Sequence, residues 1–293
     1  MEEQLNAVQR MQDYIIEHIE DEITMTDLSK VSLFSPWYSY RLFKNYTGLT
    51  PADYIRRYKL SHSAIRLRDD KISVTEAAFE MGFQSVEGYQ RAFRREFGCN
   101  PKDYAKNPIP IYLFIPYGVA YKDIHKNPIN LHREANIVIQ VIHKPARKVI
   151  LKRGRIATDY FSYCEEVSCE IWGLLTSIHS ISGEPVCMWL PKSLQKPDTS
   201  EYVQGVEVNL DYDCTIPDGL DVITLPEADY MLFQGDPFEE IQYYEAIKCV
   251  QEAIKCFDPT TKGYQWDFSN PRIQLEPIGK RGYIEMMPVR SYE

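Results

Sequence analysis

Two short stretches of this 293-residue chain carry groups suited to reading a polyanion. In the first, Trp37, Tyr40, Arg41 and Lys44 fall at i, i+3, i+4 and i+7. In the second, Glu87, Gln90, Arg91 and Arg94 repeat that spacing, with Arg95 beside them. On a helix each set forms one stripe. Arginine can read guanine, glutamine can read adenine, and a large apolar surface can pack on a thymine methyl. Lys44, Arg94 and Arg95 suit phosphate oxygens. An exposed Trp37 has little reason to exist without a partner; the alternative is partial burial in the core. Charge alone does not decide the matter, because basic residues on a solvated helix face are ordinary.

The elements that must hold these stripes are duplicated. SPWYSYRLFKNYTGLTPADY, from Ser35, and SVEGYQRAFRREFGCNPKDY, from Ser85, align at an offset of 50. Ser35/Ser85, Arg41/Arg91, Phe43/Phe93, Gly48/Gly98, Pro51/Pro101, Asp53/Asp103 and Tyr54/Tyr104 are identical pairs. Upstream, ITMTDLSKVSLF aligns with ISVTEAAFEMGF. The sequences from Thr24 and Ser73 each predict a capped helix start. Ser35-Pro36 adds an N-cap before a proline suited to the first helical position. Gly48 and Gly98 predict helix ends, and Gly88 interrupts the second reading helix at a cost of ~1 kcal/mol relative to alanine. Each copy therefore predicts helix, short turn, second helix: the helix-turn-helix plan. Before them, Leu5, Val8, Met11, Ile15 and Ile19 predict one buried helical face. Between them a helix from Pro51 to about Arg68 would span roughly 27 Å. That is close to the ~34 Å between successive major-groove segments on one side of B-DNA. One chain can then supply both reading helices.

The composition, 44% apolar and 26% charged, is that of a globular protein, and the net charge is −9. Residues 1–106 account for −1 of it and the remainder for −8. No apolar run approaches the ~18 residues of a membrane helix, and no basic-then-apolar leader opens the chain. A cytoplasmic location without membrane contact is the expectation. The seven cysteines are widely spaced and lack a CxxC pair. Reduced thiols are expected rather than a disulfide framework or a zinc site, with a thiol sensor at Cys164 and Cys169 as the alternative. The six histidines show no paired metal spacing, and neither GxSxG nor a phosphate-cradling loop occurs. No catalytic residue, metal or cofactor is predicted.

From residue 136 the pattern changes to strands. Ile137–Ile142, Lys148–Arg153, Val186–Leu190, Tyr202–Leu210, Asp221–Leu225, Tyr230–Phe233, Arg272–Glu276 and Tyr283–Met287 are predicted strands. Helices are predicted from Asp159 to about Ile178 and from Pro237 to about Cys256. Pro145 to Gly154 and Pro226 to Gly235 are spaced alike, at an offset of 81. The expected fold is therefore an all-α N-terminal domain, residues 1–106, with two helix-turn-helix motifs joined by a long helix. A proline-rich linker, 107–135, would follow. The α+β domain, 136–293, would consist of two pseudo-twofold-related β-α-β-β halves.

Residues from about Leu5 to Tyr104 resemble the DNA-binding domain of the AraC/XylS family of transcription regulators. VTEAAFEMGF, QRAFRREFG and NPKDY carry the resemblance. It implies sequence-specific duplex binding, with Trp37, Tyr40, Arg41, Glu87, Gln90 and Arg91 facing bases. Ser39 stands where that family usually has an apolar core residue. The second half resembles the gyrase-inhibitor-like effector-binding domain, through LPEADYMLFQGDP and YIEMMPV. That resemblance implies a groove for a small amphipathic, often cationic, molecule on aromatic walls around an acid. Trp172, Trp189, Tyr230, Phe233, Trp266 and Tyr283 are the candidate walls, and the acid is Glu276 or is replaced by Gln274. The rival readings of this half are a small-molecule hydrolase and an interaction domain contacting RNA polymerase or a partner subunit.

Overall fold

A computed structural model describes residues 2–119, 136–239 and 242–292. The chain divides into two compact units, Met1–Lys126 and Asn127–Glu293.

The first unit holds seven helices among its described residues: α1 (Glu2–Glu17), α2 (Met25–Ser32), α3 (Pro36–Thr47), α4 (Pro51–Asp69), α5 (Val74–Glu80), α6 (Val86–Phe97) and α7 (Pro101–Lys106). The caps follow the chemistry of their residues. Thr24 and Ser73 form capping boxes with Asp27 and Glu76. Ser35 and Ser85 cap α3 and α6, and Gly48 and Gly98 end them at φ 78° and 75°, a region glycine enters without penalty. Gly88 is the third residue of α6, and its N–H donates to the capping Ser85 Oγ at 3.1 Å. It therefore sits in the capped first turn, not in the helix interior where glycine costs most. Ser39 is fully buried yet satisfied, by Ser32 Oγ at 2.7 Å and the Ser35 carbonyl at 2.9 Å.

Helix α4 serves two cores. Tyr54, near its start, packs with Met11, Ile15, Leu28, Leu42 and Phe43. Leu60, Ala64 and Leu67, further along, pack with Ala77, Ala78, Tyr89 and Phe93. Ser63 Oγ and Tyr89 Oη, 2.9 Å apart, add a buried hydrogen bond from α4 to α6. The helical unit is also larger than its sequence bounds. Ile111 and Leu113 complete the second core, and Val119 the first. Gln12 fixes this return through the Tyr117 carbonyl and the Val119 N–H, 2.9 and 2.8 Å away. The prolines stop regular structure here without stopping burial, so the segment expected to open a linker is part of the core. Residues 120–135, the rest of that expected linker, lie outside the described residues.

Among its described residues the second unit contains nine strands in one antiparallel sheet: β1 (Ile137–Lys144), β2 (Arg147–Arg153), β3 (Val186–Trp189), β4 (Tyr202–Val208), β5 (Asp221–Leu225), β6 (Ala228–Gly235), β7 (Tyr264–Trp266), β8 (Arg272–Gln274) and β9 (Ile284–Ser291). Their order is β1-β6-β9-β8-β3-β4-β2-β5, with β7 paired to β9. The triplets β6-β9-β8 and β2-β4-β3 are thus ordered alike from the outside in, and meet at the β3–β8 pair. The predicted helix over 159–178 is two helices, α8 (Tyr160–Val167) and α9 (Glu170–Thr176). They break at Ser168, whose φ is +77°. The third, α10 (Tyr243–Cys256), starts later than Pro237 predicts, because Phe238 N–H is drawn to the Gly279 carbonyl at 2.8 Å. Strand β7, three residues long, is absent from the predicted strands.

One face of this sheet carries Val149, Leu151, Val186, Met188, Val203, Leu225, Tyr230, Ile273 and Met286 in a single apolar cluster. On that face Arg147 of β2 donates to Tyr230 Oη of β6 at 3.3 Å, although four strands lie between them in the sheet order. The sheet must therefore curl strongly. Glu207 completes the closure, accepting from Arg147 Nε at 2.5 Å and Lys144 Nζ at 2.7 Å. Helices α8 and α10 cover the other face. Tyr163 of α8 sits 5.7 Å from Tyr202, and Val250 of α10 lies against Gly235.

Replacing Leu60 by alanine should cost about 2–5 kcal/mol, as for other fully buried leucines. Urea unfolding followed by helical circular dichroism measures it. A loss below about 1 kcal/mol would show that α4 does not organise the second core.

Candidate nucleic-acid interface and effector site

The two predicted stripes are both on the surface. On α3, Trp37 is 66% exposed and Tyr40 38%, which removes the core reading of Trp37. Arg41 and Lys44 are exposed beside them. The apolar side of α3, Leu42 and Phe43, is buried, so the stripe has no other face to turn to. Arg41 is stacked over the Trp37 ring at 4.7 Å. This cation–π contact holds the guanidinium and indole as one unit.

On α6, Tyr89 and Phe93 are the buried anchors. Glu87, Gln90, Arg91, Arg94 and Arg95 line one shallow open depression on the opposite side. Arg94 is the most constrained of them: its Nε donates to Asn100 Oδ1 at 3.1 Å, which aims it toward the start of α7. Glu96 points elsewhere, pairing with Arg57 of α4 at 2.6 Å. That contact removes an acid from the reading side of α6 and ties the helix to α4.

In the second unit the helix-covered face brings together residues from four strands. Register places Trp189 opposite both Tyr202 and Arg272, and Gln274 opposite both Cys187 and Glu285. Alternation puts all of these side chains on one side. Glu285 is fully buried. It accepts from Tyr283 Oη at 2.8 Å and is ion-paired with Arg272 Nε. Arg272 lies 4.3 Å over the Trp189 ring. Trp189 meets Tyr202 edge to face at 4.9 Å, and Tyr202 Oη donates to Gln274 Oε1 at 3.3 Å.

The predicted ligand residues divide accordingly. Trp189, Gln274 and Tyr283 belong to this cluster. Phe233, opposite Glu285 in the β6–β9 register, lies on the same face and joins Trp266 and Phe257 in an adjoining aromatic group, 5.5 Å from Phe257. Tyr230 is on the opposite face, bound to Arg147. Glu276 lies just past β8 near Trp172 of α9. Burial raises its carboxyl above the ordinary value and the neighbouring Glu184 adds to this, while the Trp172 indole N–H and Arg281 oppose it. The predictions missed Arg272, Tyr202 and Glu285. Glu285 was legible as a lone acid in the apolar run Tyr283-Ile-Glu-Met-Met287, where the strand period places it with Tyr283. Its ion partner could not be inferred without the register.

A model of the helix-turn-helix domain matches residues 28–107. The regulatory protein SoxS of Salmonella typhimurium is 34% identical over 97 residues, covering 33% of this chain and 91% of that protein. A probable AraC family transcriptional regulator from Rhodopseudomonas palustris has a solved structure 27% identical, covering 36% of this chain and 99% of that one, with a TM-score of 0.34. SAV2435, solved bound to tetraphenylphosphonium, is 15% identical, covering 52% of this chain and 94% of that one, with a TM-score of 0.37. Among the described residues no helix is long and apolar enough to cross a membrane.

Glu276 generates a pH prediction. Its folded value lies above its unfolded one, so the folded state holds more protons between the two. Stability falls as pH rises through that window. Glu276→Gln should therefore melt a few degrees higher than the parent at neutral pH, and the gap should close below about pH 4. An unchanged gap across a melting series from acid to neutral pH would show that the carboxyl is not desolvated.

Proposed function

We propose, for a chain that belongs to the AraC family of helix-turn-helix transcription regulators, that it reads duplex DNA with α3 and α6 together. One observation carries this reading. Two helices capped alike, at an offset of 50 residues, present outward stripes of polar and charged groups, joined on α3 by Trp37 and Tyr40, and are anchored on the same α4. Trp37, Tyr40 and Arg41 face bases in one groove segment, and Glu87, Gln90 and Arg91 in the next. Lys44, Arg94 and Arg95 meet phosphates. The two stripes differ because the two segments carry different base pairs, so the site is asymmetric.

The second unit acts as the sensor: two pseudo-twofold-related β-α-β-β halves that bind a small amphipathic effector at their seam. The aromatic side chains at the β3–β8 junction support this, because Trp189 and Arg272 are only partly buried and so reachable from solvent. Sequence resemblance favoured a cationic ligand. The buried carboxylate of this face is already neutralised by Arg272, so a positive charge is not part of the reading.

Arg41→Ala and Arg91→Ala should each relax base preference at a different segment, about one helical turn apart, by about 1–3 kcal/mol per lost bidentate contact. Lys44→Ala should instead weaken binding to all sequences and flatten the salt slope by about one unit. Footprinting and salt titration of the full chain test both. Arginine variants that perturb the same base pairs would refute the two-segment model.

A further inference from the structure

The seam of the second unit has the parts of a cation cage: a fully buried carboxylate, an aromatic face and two phenols. In this chain the cage is occupied from within. Glu285 has both oxygens engaged, one by Arg272 Nε and the other by Tyr283 Oη. The Arg272 guanidinium covers the Trp189 ring, which is itself fixed by its Nε1–H donating to the Thr158 carbonyl at 2.8 Å. Arginine thus already makes the two contacts, ionic and cation–π, that an incoming organic cation would need. To bind, such a cation must evict Arg272 while staying beside it. Like charges at that separation repel.

The outer side of the guanidinium has a different character. The Arg272 side chain is 31% exposed. Among the described residues its two terminal amino groups donate to no protein acceptor; the hydrogen bond it makes uses Nε. Two parallel N–H groups on a rigid fork match a carboxylate. The part of Trp189 that stays exposed beside the fork offers apolar surface for the ring or chain that carries it.

We propose that Arg272 is the specificity-determining residue of the effector site, and that the site takes an amphipathic organic anion, an aromatic or long-chain carboxylate, while rejecting organic cations. This rests on the effector-binding reading of the second unit and sets the charge of its ligand. Glu285 is the positioning residue: it holds the guanidinium over Trp189 with its free edge outward.

Two probes that share a ring and differ in charge test it: naphthoate and naphthylmethyl-trimethylammonium. Each is titrated by calorimetry into the full-length protein. The parent chain should bind naphthoate and not the ammonium. Arg272→Gln should lose at least about tenfold in naphthoate affinity, the order of one charge-assisted hydrogen bond. It should also acquire ammonium binding and a melting temperature that the ammonium raises. The variant Arg272→Gln/Glu285→Gln leaves no buried charge unpaired, and so controls for folding; it should bind neither ion tightly. Ammonium binding by the parent chain, or naphthoate binding unchanged by Arg272→Gln, would overturn the assignment of Arg272 and leave the effector reading standing. Silence of every variant toward both probes would overturn both.

Discussion

The DNA-reading unit depends on α4 remaining one unbroken helix with a separate apolar surface at each end. Its nineteen residues span roughly 28 Å. Tyr54 belongs to the core under α3, and Leu60, Ala64 and Leu67 to the core under α6. A rigid rod with a core fused to each end fixes the separation of the two reading helices. No dimer interface is needed to set it. The side-chain ties that cross to α6, Ser63 to Tyr89 and Arg57 to Glu96, then fix how that helix is turned about its own axis.

The second unit solves a different problem. Its sheet is joined across the middle only by the short β3–β8 pairing, so its two outer parts need another tether. Curling supplies it: Arg147 reaches Tyr230 across the closed face, and Glu207, which also pairs with Lys144, offsets the arginine charge that this buries. Buried arginine is expensive unless paired and hydrogen-bonded, and here both conditions are met. With one face committed to this core, the Trp189–Arg272–Glu285 cluster lies on the other, where the helices flank the seam.

The two units also handle charge in opposite ways. On α3 and α6 the arginines keep exposed guanidinium groups, and the nearby acid Glu96 is diverted to Arg57. An external polyanion finds them available. At the seam the buried Glu285 is paired with Arg272, and what stays open to solvent is an edge of that guanidinium. Electrostatic reach suits a reader that must find DNA at a distance.

Local chemistry determined much of this protein without any coordinates. Caps, proline starts and glycine stops act over three or four residues, so Ser35, Ser85, Gly48 and Gly98 marked the reading helices and the duplication located both. The amphipathic period separated Leu42 and Phe43 from the Trp37 stripe for the same reason. The period-2 pattern found eight of the nine strands among the described residues, including the three-residue β8, which lies in the longer alternating run Arg272–Glu276. What the chain order hid was long-range. Ile111, Leu113 and Val119 fill the helical cores from a stretch whose prolines signalled a linker. The twin-core role of α4 needed two distant motifs to close on it. Above all, the pairing of Arg272 with Glu285 depends on register. The residues are thirteen apart on antiparallel neighbours, and a slip of one residue would have sent one of them to the opposite face. The sequence therefore determined which side chains share the outward stripes of α3 and α6, and only the tertiary structure decided which carboxylate lies at the seam and that it is already paired.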